Sequence, residues 1–222
     1  MDQTPAHDSH NPDLLKLIPV TSAHLIEIGC SSGALAREFK KTNPACRYIG
    51  IDIDENYVKL AARYCDTTLA MNIDNADESF FNQNCMTDCW VFGDTLEHLQ
   101  NPWGVLDKIR KVIPDYGSVV ACIPNAQHWS LIAKLCVGDF RYEDQGLLDK
   151  THLRWFTRQT IIELFNGTGF AVAEGISRIF DEPSRDKFLH LIGEMAKASG
   201  NDPEMAIADA LPLQYVVRAT PQ

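Results

Sequence analysis

No run in the 222-residue chain stays apolar for the roughly 20 residues that span a bilayer, so no membrane-embedded segment is expected. The opening MDQTPAHDSHNPD also lacks the basic-then-apolar order of a secretory leader, which points to the cytoplasm. Positive charge is scarce. Against 30 Asp and Glu stand 20 Lys and Arg, for a formal charge of -10. The clusters at Lys40-Lys41 and Lys108 to Lys111 are too short to track a phosphate backbone, so nucleic acid is disfavoured as a partner. The seven cysteines are odd in number and scattered, which fits reduced thiols better than a disulfide framework. Cys85 and Cys89 have no second pair and fall short of a zinc site. Internal repeats and low-complexity stretches are missing as well. So is the Gly-x-Gly-x-x-Gly of a dinucleotide loop, which argues against NAD.

What remains, 45% hydrophobic residues in a chain of this length, suffices for one full core, so a single domain is expected over 1–222, with a flexible start over 1–12. A short helix over 13–18 should end at Pro19. Strands are expected at 24–28, 48–53, 67–72, 89–93 and 118–123, with helices at 34–42, 55–64 and 103–113 between them. Such alternation implies a parallel sheet covered by helices on both faces. Beyond Pro124 the regularity changes. Residues 125–156 carry aromatics, two histidines and mixed charge at the carboxyl end of the fifth strand, where open α/β sheets bind ligands. They are read as a substrate-covering segment. Thr157 should cap a helix over 158–166, followed by a strand over 170–175, a helix over 187–199 and a closing antiparallel strand over 213–219.

The chemistry concentrates at LIEIGCSSGAL, residues 25 to 35. A strand enters a loop with Gly29 and Gly33, and a helix leaves it, the geometry by which backbone and ligand approach closely. Glu27 precedes the loop. Its carboxylate would repel a pyrophosphate but suit an ammonium or sulfonium. With IGIDID, DTLEHL and GLLDKTHLRWFT in the same order along the chain, the sequence resembles a class I S-adenosylmethionine-dependent methyltransferase from about Leu14 to Ala219. The wording of the last motif resembles members found beside bacterial glycosyltransferases. The resemblance implies a Rossmann-like α/β fold: a seven-stranded, mostly parallel sheet of order 3-2-1-4-5-7-6, last strand antiparallel, with helices on both faces. It also implies S-adenosylmethionine as cofactor. Glu27, Gly29, Cys30 and Gly33 would hold the methionine portion. Asp52 would accept the ribose hydroxyls, unless it caps the helix from Glu55. Ile53 would pack on adenine, and Asn72 with Ile73 would meet its edge, although Asp74 competes for that role. Asp94 would lie beside the cofactor.

Methyl transfer requires an aligned acceptor, and a hydroxyl must also lose its proton. His152 is the first candidate base and His98 the second, because imidazole titrates near neutral pH. The alternative for His152 is a structural role, holding its own segment by backbone hydrogen bonds. Trp129, Tyr142, Trp155 and Phe156 are candidates for the pocket wall or for core. If Asp94, Glu97 and His98 shared one helical face, they could join His152 around a divalent metal, as in methyltransferases with a Glu-x-x-Glu-His segment. That ion is allowed but not favoured. The expected partner is a small-molecule or sugar acceptor methylated on oxygen. An amine acceptor, or a noncatalytic cofactor-binding scaffold, are the alternatives.

Overall fold

The computed structural model describes residues 8–222. Its strands are β1 (His24–Ile28), β2 (Arg47–Asp52), β3 (Thr67–Ala70), β4 (Cys89–Gly93), β5 (Ser118–Pro124), β6 (Phe170–Arg178) and β7 (Gln214–Pro221). They form one sheet in the order β3-β2-β1-β4-β5-β7-β6. The first five pair parallel, and β7 runs antiparallel to both β5 and β6. The helices are α1 (Pro12–Leu17), α2 (Ala34–Thr42), α3 (Glu55–Ala61), α4 (Glu78–Gln83), α5 (Pro102–Val112), α6 (Trp129–Cys136), α7 (Arg158–Gly167), α8 (Arg185–Ala198) and α9 (Pro203–Ala210).

Strand alternation divides the core between the two faces of the sheet. Ile26, Ile49, Trp90 and Ala121 pack into one cluster with Ile109 of α5 and Phe165 of α7. Their neighbours Leu25, Tyr48, Val91 and Val120 pack into another with Leu14 of α1 and Leu35 of α2. Successive side chains on a strand point to opposite faces, so nearly continuous apolar runs become two cores separated by one layer of backbone. A smaller third cluster joins Leu189 and Ile192 of α8 to Ala210 at the end of α9, with Trp129 and Ile132 of α6 against it.

Several boundaries differ from expectation. β2 ends at Asp52 and leaves Ile53 outside the ladder, while β6 continues to Arg178 through a register shift between Val172 and Glu174. The helices α4, α6 and α9 are additions. Part of the stretch expected to be flexible, residues 1–7, lies outside the described residues. Of the remainder, Asp8 pairs with Arg37 at 2.7 Å, and Asn11 caps α1 by accepting the N–H groups of Asp13 and Leu14. Thr157 caps α7 in a reciprocal arrangement with Thr160. All seven cysteines are free, with Cys85 exposed and Cys89 buried in β4. Among the described residues no helix is long and apolar enough to cross a membrane.

Candidate active site

The carboxyl ends of β1, β2, β4 and β5 open into a cavity of about 840 Å³. Its floor is the glycine loop. Gly29 and Cys30 both donate to the carbonyl of Ile51, at 2.8 and 3.0 Å, which ties the loop to β2. Three loop residues take left-handed backbone: Gly29 and Gly33 at φ 79° and Ser31 at φ 46°. Ser31 bears a side chain where that conformation favours glycine, and its N–H donates to Asp52 Oδ2 at 2.8 Å. The other Asp52 oxygen accepts from Asp54 N–H at 3.0 Å. The cap of α3 is Asp54 rather than Asp52. Asp52 is thus a buried carboxylate at the end of β2, its pKa raised by burial against the opposing pull of these backbone donors.

Glu27 is also buried, with its Oε2 accepting from Tyr48 Oη at 2.7 Å. Burial outweighs that hydrogen bond and raises its pKa to about 8. At the opposite side, Ile53 lines the cavity with 56% of its surface exposed, as a platform for a planar ring would be. Asn72, Ile73 and Asp74 line the same edge. The Asp74 carboxylate is committed to the N–H groups of Gln100 and Asn101, at 2.9 and 3.1 Å. The oxygen of Asn72 accepts from Asp74 N–H at 3.0 Å, which leaves its amide nitrogen as the donor at this edge.

The DTLEHL segment forms a short 3-10 turn at Leu96–His98 instead of an α-helical one. Asp94 stands outside it at φ 52°, accepting from Gln214 Nε2 at 2.5 Å, so the three side chains do not share one face. Glu97 does turn inward. It is 1% exposed, and neither of its carboxylate oxygens has a hydrogen-bond partner. Its backbone carbonyl accepts from Leu153 N–H at 2.8 Å and Arg154 N–H at 3.0 Å, which draws the later segment against it. His152 Nε2 thereby comes within 3.9 Å of Glu97 Oε1, and His98 Nε2 within 4.0 Å. The two rings meet edge to face at 4.8 Å.

Hydrogen bonds on the far nitrogens set the tautomers. His98 Nδ1 faces the carbonyl and the hydroxyl oxygen of Thr151, each at 3.1 Å. That hydroxyl already donates to Asp149 Oδ1 at 2.6 Å, so the proton belongs on His98 Nδ1. His152 Nδ1 faces the carbonyl of Leu147 at 3.3 Å. Both Nε2 lone pairs therefore face Glu97. Burial and the neighbouring His98 lower the His152 pKa, while burial, followed by the charge of Asp94, raises that of Glu97 well above the carboxylate range. The ligand atoms of Glu97, His98 and His152 lie within 4.8 Å of one another.

The four aromatic candidates for the wall do not line the cavity. Phe156 is core, Trp129 stacks on Phe188 of α8, and Tyr142 and Trp155 face outward with Phe140 between them. Gln145, Leu147, Leu153 and Leu213 stand there instead. Tyr48, Thr151 and Asp149 were not singled out from sequence. Tyr48 reaches Glu27 only through strand pairing.

A seven-stranded sheet of this order, with a glycine loop after β1 and an acidic residue closing β2, defines the Rossmann-like class I fold of S-adenosylmethionine-dependent methyltransferases. Residues 9–174 match the methyltransferase domain family, and the chain belongs to that family. A curated relative, the mitochondrial ubiquinone biosynthesis O-methyltransferase of Dictyostelium discoideum, is 23% identical over 135 residues, 55% of this chain and 42% of the relative. The chain thus matches less than half of that relative's length. A SAM-dependent methyltransferase of Thermotoga maritima superposes with TM-score 0.61 at 15% identity, covering 95% of this chain and 86% of that one. Magnesium protoporphyrin IX methyltransferase of Synechocystis PCC 6803 with bound SAH gives 0.59 at 11% identity, covering 95% and 80%. At these identities the likeness is one of fold.

Proposed function

We propose that the protein transfers the methyl group of S-adenosylmethionine to a hydroxyl of a small molecule or glycan intermediate. The observation that carries the reading is that two imidazole lone pairs share one open cavity with the glycine loop. A scaffold would fill that space with its own side chains. The name of the Dictyostelium relative supports oxygen over nitrogen as the acceptor atom.

Bound S-adenosylmethionine supplies an electrophilic methyl on a sulfonium. The glycine-loop backbone and Glu27 would receive its methionine portion, Asp52 the ribose hydroxyls, and Ile53, Asn72 and Ile73 the adenine. His152, kept neutral by a pKa below its ordinary value, would take the proton of the acceptor hydroxyl on Nε2. Leu147 fixes the ring, so one histidine both anchors its segment and presents its base.

A second reading rests on Glu97, a buried carboxylate without a hydrogen-bond partner. Glu97 Oε1 and the two Nε2 atoms fit a divalent cation, whose Lewis acidity would lower the acceptor's pKa. The readings separate cleanly. With His152 as base, His152→Ala lowers turnover about 10²- to 10⁴-fold, leaves cofactor affinity nearly unchanged, and chelator has no effect. Chelator-sensitive activity restored by Mg²⁺ or Mn²⁺ would select the metal. An unaltered rate in His152→Ala would sink both.

A further inference from the structure

The glycine loop spends its own N–H groups inside the protein. Gly29 and Cys30 donate to the carbonyl of Ile51, Ser31 to Asp52 Oδ2, and Gly33 to the carbonyl of Cys30 at 2.8 Å. A bound S-adenosylmethionine nevertheless brings a carboxylate to this end of the cavity, and a carboxylate drawn out of water needs donors. Lysine and arginine do not supply them, since none of the described lining residues is either.

The segment before α1 holds such a donor. Asn11 lines the cavity, and its Oδ1 is taken up by the cap of α1, accepting from Asp13 N–H at 3.0 Å and Leu14 N–H at 3.2 Å. Those two bonds fix which end of the amide is nitrogen. The nitrogen is buried and has no hydrogen-bond partner, a state that buried donors rarely keep unless a ligand or water completes them.

The segment is fastened on either side of Asn11. Arg37, in the first turn of α2, holds the Asp8 carboxylate at 2.7 Å and the Asp8 carbonyl at 3.0 Å. Beyond Asn11, Asp13 accepts from Arg178 of β6 at 3.0 Å, and Leu14 comes within 3.1 Å of where a Cβ on Gly93 of β4 would stand. Residues 8–14 therefore run between α2 and the end of β4, on the glycine-loop side of the cavity, whereas Ile53 and Asn72 stand past β2 at the adenine end. The N-terminus of α2 has no side-chain cap, so its dipole adds a field that favours an anion on this side.

We propose that Asn11 is a cofactor-binding residue, its amide nitrogen donating to the carboxylate of the methionine portion, and that residues 8–14 are the strap that holds it there. This rests on the methyl-transfer reading and assigns a partner to the anionic group of the cofactor. One side chain then has two tasks: its oxygen starts α1, and its nitrogen reads the ligand.

The test compares S-adenosylhomocysteine with its decarboxylated analogue, which keeps the ammonium and lacks the carboxylate, by calorimetry on the full chain. Asn11→Asp preserves the capping oxygen and the shape of the side chain and removes the donor. It is expected to weaken S-adenosylhomocysteine about 10- to 100-fold, the range for a lost hydrogen bond to a charged group, and to leave the analogue as tight or tighter. Asn11→Gly, which N-caps tolerate nearly as well, removes the donor without adding charge and should show the same selective loss. His10 shares this wall of the cavity and stays in place in both variants. Equal weakening of the two ligands, or no weakening of either, would overturn the proposal, because damage to the strap or the fold does not depend on the ligand's carboxylate. A wild-type chain that binds neither ligand would instead sink the methyl-transfer reading, and the proposal with it.

Discussion

Glu27 illustrates how one residue can store a proton for a ligand. Its carboxyl is shut into the sheet beside Tyr48 Oη, and burial pushes its pKa up to about 8. The stability contributed by the neutral form is fully present below the ordinary value of 4.5 and is lost as pH rises through about 8. A cofactor carrying ammonium and sulfonium charge would favour the ionised form and release that proton on binding. Melting temperatures of the cofactor-free protein are expected to fall between about pH 5 and 8 and to level off above that, and to fall less for Glu27→Gln. Equal slopes would place the titration elsewhere. The carboxylate was legible from sequence as a preference for a cationic ligand. Its hydrogen-bonding partner was not, because Tyr48 lies on the next strand and only register brings it there.

Among the elements, the turn from β1 into α2 is the most constrained. Gly33 sits at φ 79°, and a methyl there would meet the Cα of Ala61, in α3, at 2.9 Å. Left-handed backbone costs a residue with a side chain about 1–2 kcal/mol. Gly33→Ala is therefore expected to lower the melting temperature by roughly 2–8 °C and to weaken cofactor binding, since α2 must withdraw from α3. A melt and an affinity both unchanged would show that the loop tolerates the shift. This element was readable because apolar run, glycine and helix follow each other locally, and β1 and α2 fall on the residues expected. The helices missed are of another kind. α4 is six residues with one buried side chain, and α6 buries only Leu131, so neither carries a clear period. α9 did carry a signal, Asp202 as cap with Pro203 at the first position, and its packing on α8 supplies the rest. The turn holding Glu97 was unreadable in a different sense. A 3-10 turn and an α-turn share a sequence, and which one forms depends on the segment that docks to the Glu97 carbonyl.

For the whole molecule, binding should appear as stabilisation. Ligand at about 100 times its dissociation constant adds roughly 2.7 kcal/mol, or about 5–11 °C in a chain of this size. S-adenosylmethionine and S-adenosylhomocysteine are expected to produce such a shift and NAD none. Asp52→Ala should cut it, because losing hydrogen bonds to a charged group weakens affinity on the order of 10- to 100-fold. A full shift in that variant would remove Asp52 from the ribose role. The anchoring of residues 152–154 on Glu97 also separates two tasks along one segment. His152 is fastened on both sides, whereas the stretch between Gly138 and Gly146 turns at two left-handed glycines with no other atoms within 4 Å of an added methyl. Its tip reaches the cavity at Gln145, so substitutions at Gln145 are expected to change what enters while His152 keeps its place.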